Sequence, residues 1–164
     1  MTLRDNEVAS QLNRSEYLFL RHISEPCDNS LRVVVEAAIV DRAEVLATNA
    51  HPAPLAELRK DAWPIRSKEN CSAFELNWNR YVAYLVTEES VGSGGRDEDE
   101  SYTGRLFRLY TQSHFLDHLS RDTGGHTKRI LHYKVICQNH LIDVASYDPP
   151  EILLSNRLIR GMLS

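Results

Sequence analysis

Apolar and polar positions in this chain are arranged in several short runs typical of β-strands, separated by turn-forming residues. The first run, Tyr17–Ile23, and the second, Leu31–Val40, flank a segment at 25–30 that contains Pro, Asp and Asn. Proline fixes its own φ angle, and Asp or Asn side chains bond the nearby backbone, so this segment favours a tight connection. The pattern therefore predicts that the two strands pair as a β-hairpin.

The middle of the chain shows the clearest alternation. Apolar and polar residues alternate over 72–78, which predicts a half-buried antiparallel strand. Further strands are predicted over 81–87 and 104–110, on either side of a segment rich in glycine and acidic residues. We expect these two to form a hairpin with a long tip, and we assign residues 91–103 to a mobile acidic loop.

A short amphipathic helix is predicted over 114–121. Ser113 precedes it, and its hydroxyl is suited to accept a hydrogen bond from a free amide of the first turn. Phe115, Leu116 and Leu119 form its apolar face. The glycines that follow end this helix.

Two more strands are predicted over 129–137 and 140–146, around a tight turn at 138–139. Residues 1–15 are compatible with a short helix or a loose arm, and residues 151–164 with a docking helix or a tail.

The connections are short, and strands do not alternate with long helices. The sequence therefore predicts a single α+β domain over 1–164, with a mostly antiparallel sheet of about six strands and one or two short helices packed on it.

The charge balance of the 164-residue chain argues against several functions. Lys and Arg number 19 against 23 Asp and Glu, a net charge of -4, so no positive surplus exists for non-specific nucleic-acid binding.

The apolar runs are shorter than the roughly 20 residues of a membrane-spanning helix. The N-terminus lacks a signal-peptide pattern, and Cys27, Cys71 and Cys137 lack metal-binding or disulfide spacing. We therefore expect a cytoplasmic protein without a nucleic-acid or membrane partner.

A candidate metal site lies on the predicted helix. His114 and His118 are four residues apart, which places two imidazoles on one helix face, a spacing that suits zinc. The five residues from His114 to His118 resemble the inverted H-x-x-E-H zinc motif, with Asp117 in place of the glutamate. A solvated polar face explains the same three residues equally well. No cofactor is predicted, and zinc belongs only to the metal-binding alternative.

The predicted strands on either side of the 138–139 turn carry His132, His140 and Asp143. Side chains alternate in direction along a strand, so His140 and Asp143 are expected on opposite faces and do not form a catalytic dyad. We expect Asp143 to be an interior carboxylate bonded to backbone. Cys137 lies among apolar residues and is expected to be an inert core thiol. No catalytic residue is predicted.

A candidate protein-binding face is formed by Tyr81, Tyr102 and Tyr110, because exposed tyrosines are enriched at protein interfaces. Four consecutive acidic residues of the predicted loop extend this set: Asp97, Glu98, Asp99 and Glu100. A negative loop beside exposed tyrosines favours a basic partner.

A small, acidic, α+β chain of this kind resembles the bacterial immunity proteins, which neutralise often-basic toxin domains through charge complementarity. The resemblance implies a non-catalytic cytoplasmic protein that binds a basic protein partner, and we take this as the predicted function. The alternative is a metal-dependent hydrolase or small-molecule-binding protein that uses His114, Asp117 and His118. A homodimer formed through a strand edge at 17–23 or 129–137 is a third interpretation.

Overall fold

The computed structural model describes residues 7–41, 63–68, 70–92, 99–122 and 130–155. The strands in these residues are β1 (Tyr17–Ser24), β2 (Leu31–Val40), β3 (Ile65–Arg66), β4 (Ala73–Trp78), β5 (Tyr81–Glu88), β6 (Ser101–Thr103), β7 (Phe107–Gln112), β8 (Leu131–Ile136), β9 (His140–Ser146) and β10 (Glu151–Ser155). The helical segments are α1 (Glu7–Arg14), α2 (Glu89–Gly92) and α3 (His114–Asp122).

The first sheet is built around the N-terminal hairpin. β1 and β2 pair antiparallel on either side of residues 25–30, which confirms the predicted hairpin. β2 also pairs with β3 and β4, and β4 pairs with β10, so the main strand order is β1-β2-β4-β10. The sequence predicts a docking helix or a tail over 151–164. Residues 151–155 instead form a strand, because Ile152 is buried in the core while the backbone bonds to β4.

The second sheet is antiparallel with the order β5-β9-β8-β7-β6. β8 and β9 form the predicted tight hairpin. The predicted hairpin between 81–87 and 104–110 is wrong, because β5 pairs with β9 and is separated from β7 by two strands. The apolar match between Val86 of β5 and Ile142 of β9 favours this pairing. The chain therefore changes sheet at Asn79 and Arg80.

The antiparallel α+β class is confirmed, but the described residues form ten strands in two sheets rather than about six in one. The extra strands β3, β6 and β10 have only two, three and five residues, too few to produce a clear alternation. Part of the predicted loop at 91–103 is ordered, since 89–92 are helical and 101–103 form β6; residues 93–98 lie outside the described residues. The strand expected from 104 begins at Phe107, because Gly104 has a φ of 94° and redirects the backbone.

Both sheets contribute to one hydrophobic core. Tyr133 of β8 stacks on Phe107, with ring centroids 5.5 Å apart and an interplanar angle of 8°. It also contacts Trp78 of the first sheet, with centroids 6.1 Å apart. Burial, together with the charge of Asp148, raises the pKa of Tyr133 to about 12. Large aromatic side chains bury the most apolar area per residue, so this trio joins the two sheets.

Helix α1 packs against β10 of the first sheet and β7 of the second. Its residues Ala9 and Leu12 are fully buried in the shared core. Asn13 holds the helix to the chain just before β7: its Oδ1 accepts hydrogen bonds from the backbone N–H groups of Arg105, Leu106 and Phe107, at 2.8, 2.9 and 2.9 Å. One side-chain oxygen thus satisfies three amides.

The free edge of β1 is covered by the turn between β8 and β9. Gln138 N–H donates to the carbonyl of Leu18 at 2.8 Å. The side-chain amide of Asn139 accepts from Leu20 N–H at 2.9 Å and donates to Leu20 C=O at 3.1 Å. Asn139 therefore imitates the backbone of a neighbouring strand.

These contacts bear on the two strand edges considered for a homodimer. The segment predicted over 129–137 contains β8, which lies between β7 and β9 and is not an edge. The segment 17–23 is an edge strand, but its backbone at Leu18 and Leu20 is already bonded by the turn. Neither segment presents a fully open strand edge.

The role of Asn13 gives a stability prediction. The Asn13→Leu variant keeps the side-chain size but leaves three amides without their acceptor, so we expect the free energy of unfolding to fall by at least about 2 kcal/mol. Asn13→Asp retains acceptor oxygens and should lose less. Urea unfolding measures both, with Gln11→Leu on the exposed side of α1 as the control. Equal losses for Asn13→Leu and Gln11→Leu would contradict the role assigned to Asn13.

Candidate functional site

A cluster of polar side chains lies on the face of the second sheet that points away from the shared core. Tyr133 faces the core, so alternation directs its neighbours His132 and Lys134 to the opposite face. The strand register places Lys134 beside Asp143 of β9, and His132 beside Tyr110 of β7. We refer to His132, Lys134, Asp143 and Tyr110 as the polar cluster.

Asp143 is the hub of the polar cluster. Its Oδ1 lies 2.8 Å from Nε2 of His132 and 3.3 Å from Nζ of Lys134. The His132 ring stacks on Tyr110, with centroids 4.4 Å apart, and meets Phe115 of α3 at 5.1 Å. His132 is 1% exposed and Asp143 is 7% exposed. The sequence predicts that the Asp143 carboxylate bonds to backbone; in the structure it bonds the side chains of His132 and Lys134 instead.

Sequence reasoning missed the pairing of His132 with Asp143. His140 is the nearer histidine along the chain, and it lies on the opposite strand face from Asp143, as predicted. Counting outward from the tight turn would have aligned Lys134 with Asp143 and placed His132 one diagonal position away, within reach on the same face.

The electrostatics of the polar cluster favour an ion pair. Burial is the largest single effect on Lys134 and disfavours its charged form, but the charge and hydrogen bond of Asp143, together with Tyr110 and Glu100, outweigh it, so the pKa of Lys134 is raised. Nδ1 of His132 is buried and has no hydrogen-bond partner among the described residues. A histidine–aspartate pair acts as a base only when the other nitrogen meets a nucleophile or substrate. The part of the chain that the structure describes brings no such group to His132.

The residues of the candidate metal site are all exposed on α3: His114, Asp117 and His118. Leu116 N–H donates to Ser113 Oγ at 3.1 Å, which confirms the predicted helix cap. Among the described residues, no group of three or more His, Cys, Asp or Glu side chains is placed to hold a metal ion.

The acidic segment is only partly described. Asp97 and Glu98 lie outside the described residues, and Asp99 is exposed. Glu100 accepts a hydrogen bond from the backbone N–H of His114 at 2.8 Å. A carboxylate at a helix N-terminus is favoured by the helix dipole, so Glu100 stabilises the start of α3.

The three candidate tyrosines do not form one face. Tyr110 is only 2% exposed. Tyr102, on β6, contacts the Tyr110 ring at 5.0 Å and lies beneath the guanidinium of Arg108 at 4.0 Å. Tyr81 is on β5, at the opposite end of the second sheet.

Tyr81 instead belongs to a surface on strand β5. Its ring meets Tyr84 edge-on, with centroids 5.3 Å apart. Leu85 is 50% exposed, and Tyr147 at the end of β9 is 47% exposed. We call Tyr81, Tyr84, Leu85 and Tyr147 the tyrosine edge.

The hairpin turn between β1 and β2 borders the tyrosine edge. Tyr84 Oη donates to the Glu25 carboxylate at 3.0 Å, and Tyr81 N–H donates to the carbonyl of Asn29 at 3.0 Å. The hydrogen bond to Glu25, with partial burial, raises the pKa of Tyr84. The turn thus places the Glu25 carboxylate beside the exposed ring of Tyr84.

Comparison with known proteins assigns no family. No protein-family model matches the chain, and no curated protein or solved structure is significantly similar to it. The chain is therefore characterised by its fold and its surfaces: two antiparallel sheets, a buried polar cluster and an aromatic strand edge.

A membrane-spanning helix, with the length and apolarity needed to cross a bilayer, does not occur among the described residues.

The coupling within the polar cluster is testable by a double-mutant cycle. Asp143→Leu leaves the lysine without its counter-ion, and we expect it to lower the free energy of unfolding by about 3–5 kcal/mol. The double variant Asp143→Leu/Lys134→Met should lose much less than the sum of the two single variants. Urea unfolding of all four proteins gives the coupling. The exposed pair Arg80–Asp148, with side chains 65% and 55% exposed, is the matched control, with an expected coupling below about 1 kcal/mol. Additive losses at 134 and 143 would show that the ion pair is not coupled.

The buried thiol predicts a pH dependence. Burial raises the pKa of Cys137 from 9.0 to about 12, so above pH 9 the unfolded chain releases a proton that the folded chain keeps. Its contribution to stability is therefore complete below pH 9 and is lost as pH rises towards 12. Urea midpoints measured across this range should fall less steeply for Cys137→Ala than for the parent protein. Cys27→Ala, at an exposed cysteine, should keep the parent slope; an unchanged slope for Cys137→Ala would contradict the assignment.

Proposed function

We propose that this chain is a non-catalytic binding protein that engages a basic protein partner through the tyrosine edge. The observation that carries the proposal is the exposure of Tyr84 and Leu85 on a strand edge, close to carboxylates that form no ion pair within the part of the chain that the structure describes. Tyrosine offers a large rigid contact area with a polar tip, which suits protein interfaces.

The charges around the tyrosine edge favour a basic partner. Glu25, Asp28 and Glu88 are exposed and form no ion pair with other described residues. Arg80, which precedes Tyr81 in the chain, is paired with Asp148 at 2.7 Å. Complementary charge speeds association and selects partners.

Two carboxylates on the first sheet, in contrast, already form ion pairs. On the first sheet, Glu36 is paired with Arg21 at 2.6 Å, and Glu75 with Arg32 at 2.7 Å. The hydrogen bond from Arg32 lowers the pKa of Glu75 against the effect of its partial burial. These acids are already satisfied within the protein, so the tyrosine edge is the better site for a cationic partner.

Other exposed apolar side chains are less informative. Ile39, Trp63, Leu153 and Leu154 are each between 37% and 45% exposed. They lie close in sequence to 42–62 or 156–164, which are outside the described residues. Their exposure therefore does not enter the proposal.

The polar cluster supports a structural role rather than catalysis. His132 is enclosed by Tyr110 and Phe115, and its bonded nitrogen is held by Asp143. Binding at the tyrosine edge needs no reactive group. This is the kind of activity that the resemblance to bacterial immunity proteins implies.

The binding prediction compares two variants with equally exposed tyrosines. Tyr84 and Tyr102 are each 36% exposed, but they lie at opposite ends of the second sheet. Partner proteins are captured on the immobilised chain, purified, and titrated by calorimetry. We expect Tyr84→Ala/Leu85→Ser to weaken binding at least tenfold, about 1.4 kcal/mol, and Tyr102→Ala to leave it unchanged.

Two charge variants complete this experiment. Glu25→Gln/Glu88→Gln should slow association and reduce its salt dependence. Neutralising Asp97, Glu98 and Asp99 tests whether the acidic loop predicted from the sequence contributes to binding. Equal affinity for the parent and the Tyr84/Leu85 variant, or the absence of any captured protein, would refute the proposal.

A further inference from the structure

The ends of the two sheets differ in how far their strand edges are already occupied. Within the described residues, β1 and β10 end the main path of the first sheet, and β5 and β6 end the second. The edge of β1 is bonded by Gln138 and Asn139. β6 has three residues, and β10 has five and lies beside α1. β5 is the longest of the less-occupied edges, with eight residues.

The outer edge of β5 has backbone groups that no described strand pairs with. Its first residue, Tyr81, donates its N–H to Asn29. Beyond it, β5 pairs only with β9 among the described residues. In an antiparallel pair, alternate residues direct their N–H and C=O groups away from the partner. Alternate residues of Val82–Glu88 therefore present N–H and C=O groups that no other described residue bonds at this edge.

Most of β5 lacks the devices that commonly block strand pairing. Natural edge strands carry prolines, lysines or inward-pointing charges, or have bulges that twist the edge away. The eight residues of β5 contain no Pro, Lys or Arg. The irregularity in its register is confined to its start, between Tyr81 and Ala83. The remaining length is suited to accept another strand.

The two faces at this edge differ in chemistry. Tyr84 and Glu88 lie on one face by alternation, and the hydrogen bond from Tyr84 brings Glu25 to that face. Leu85 lies on the other face, opposite Asp143 in the register. An added strand would place alternate side chains against the carboxylates and the rest against Leu85.

We infer that β5 binds an extended segment of the basic partner protein by strand addition, and that this segment alternates basic and apolar residues. Its Lys or Arg side chains meet Glu25 and Glu88, and its apolar side chains meet Leu85. Backbone hydrogen bonds supply affinity, and the alternation supplies specificity. This inference rests on the proposed function, because it specifies how the same surface engages its partner.

The test uses amide hydrogen exchange of the full chain, measured by NMR. A hexapeptide that alternates lysine and valine should slow the exchange of alternate amides in Val82–Glu88 at least tenfold at saturation. A glutamate–valine hexapeptide, and a lysine–valine hexapeptide N-methylated at alternate amides, should give no protection. The Leu85→Lys variant adds a blocking charge at the edge and should abolish protection, while the amides of β9 show that the fold is intact.

The outcomes separate the inference from the proposed function. No protection of β5 by the lysine–valine peptide, or equal protection by the N-methylated peptide, overturns strand addition. If the captured partner binds with the expected dependence on Tyr84 and Leu85 but leaves β5 exchange unchanged, strand addition fails while the proposed function stands. Protection that appears without peptide and rises with protein concentration identifies a second copy of this chain as the occupant, and also overturns the inference.

Discussion

The contact on which the rest of the structure depends is the packing of Tyr133 between the two sheets. Its ring stacks on Phe107 within its own sheet and meets Trp78 of the other. A one-residue shift of β8 would turn this side chain out of the core, so burial of a large aromatic ring fixes the register of the strand. The same register sends His132 and Lys134 to the outer face, where they meet Asp143. The core thus determines the position of the polar cluster.

The second sheet is covered on both faces near β8. On the outer face, α3 supplies Phe115 against the His132 ring, and α3 is itself held at its start by Ser113 and Glu100. Removing a carboxylate and an ammonium from water costs free energy unless they bond well to each other. Asp143 bonds both Lys134 and Nε2 of His132, which offsets part of the cost of placing these polar groups in an interior position.

Much of the local structure was predictable from sequence, because its causes are local. The turn residues at 25–30 define the first hairpin, the tight turn at 138–139 defines β8 and β9, and Ser113 marks the start of α3. The partners of β5 and β10 were not predictable. Alternation along a strand shows which face is buried, but it does not say which strand lies beside it. The two sheets therefore could not be separated at Asn79 and Arg80.

The candidate site was predictable only in part. Tyr81 was identified from its type, and Tyr84 and Leu85 lie on the same strand. Glu25 joins them only because the β1–β2 turn folds against β5, a contact between segments far apart in the chain. The pairing of His132 with Asp143 needed the strand register, which the short turn supplied but residue spacing alone concealed.

The closure of the β1 edge by Asn139 has a consequence for the order of folding. The two residues that meet, Leu20 and Asn139, are 119 positions apart in sequence. During synthesis from the N-terminus, the first hairpin leaves the ribosome long before the residue that protects it exists. Unpaired strand edges on incomplete chains are sites of aggregation. The nascent hairpin therefore lacks this protection until the turn at 138–139 has been synthesised.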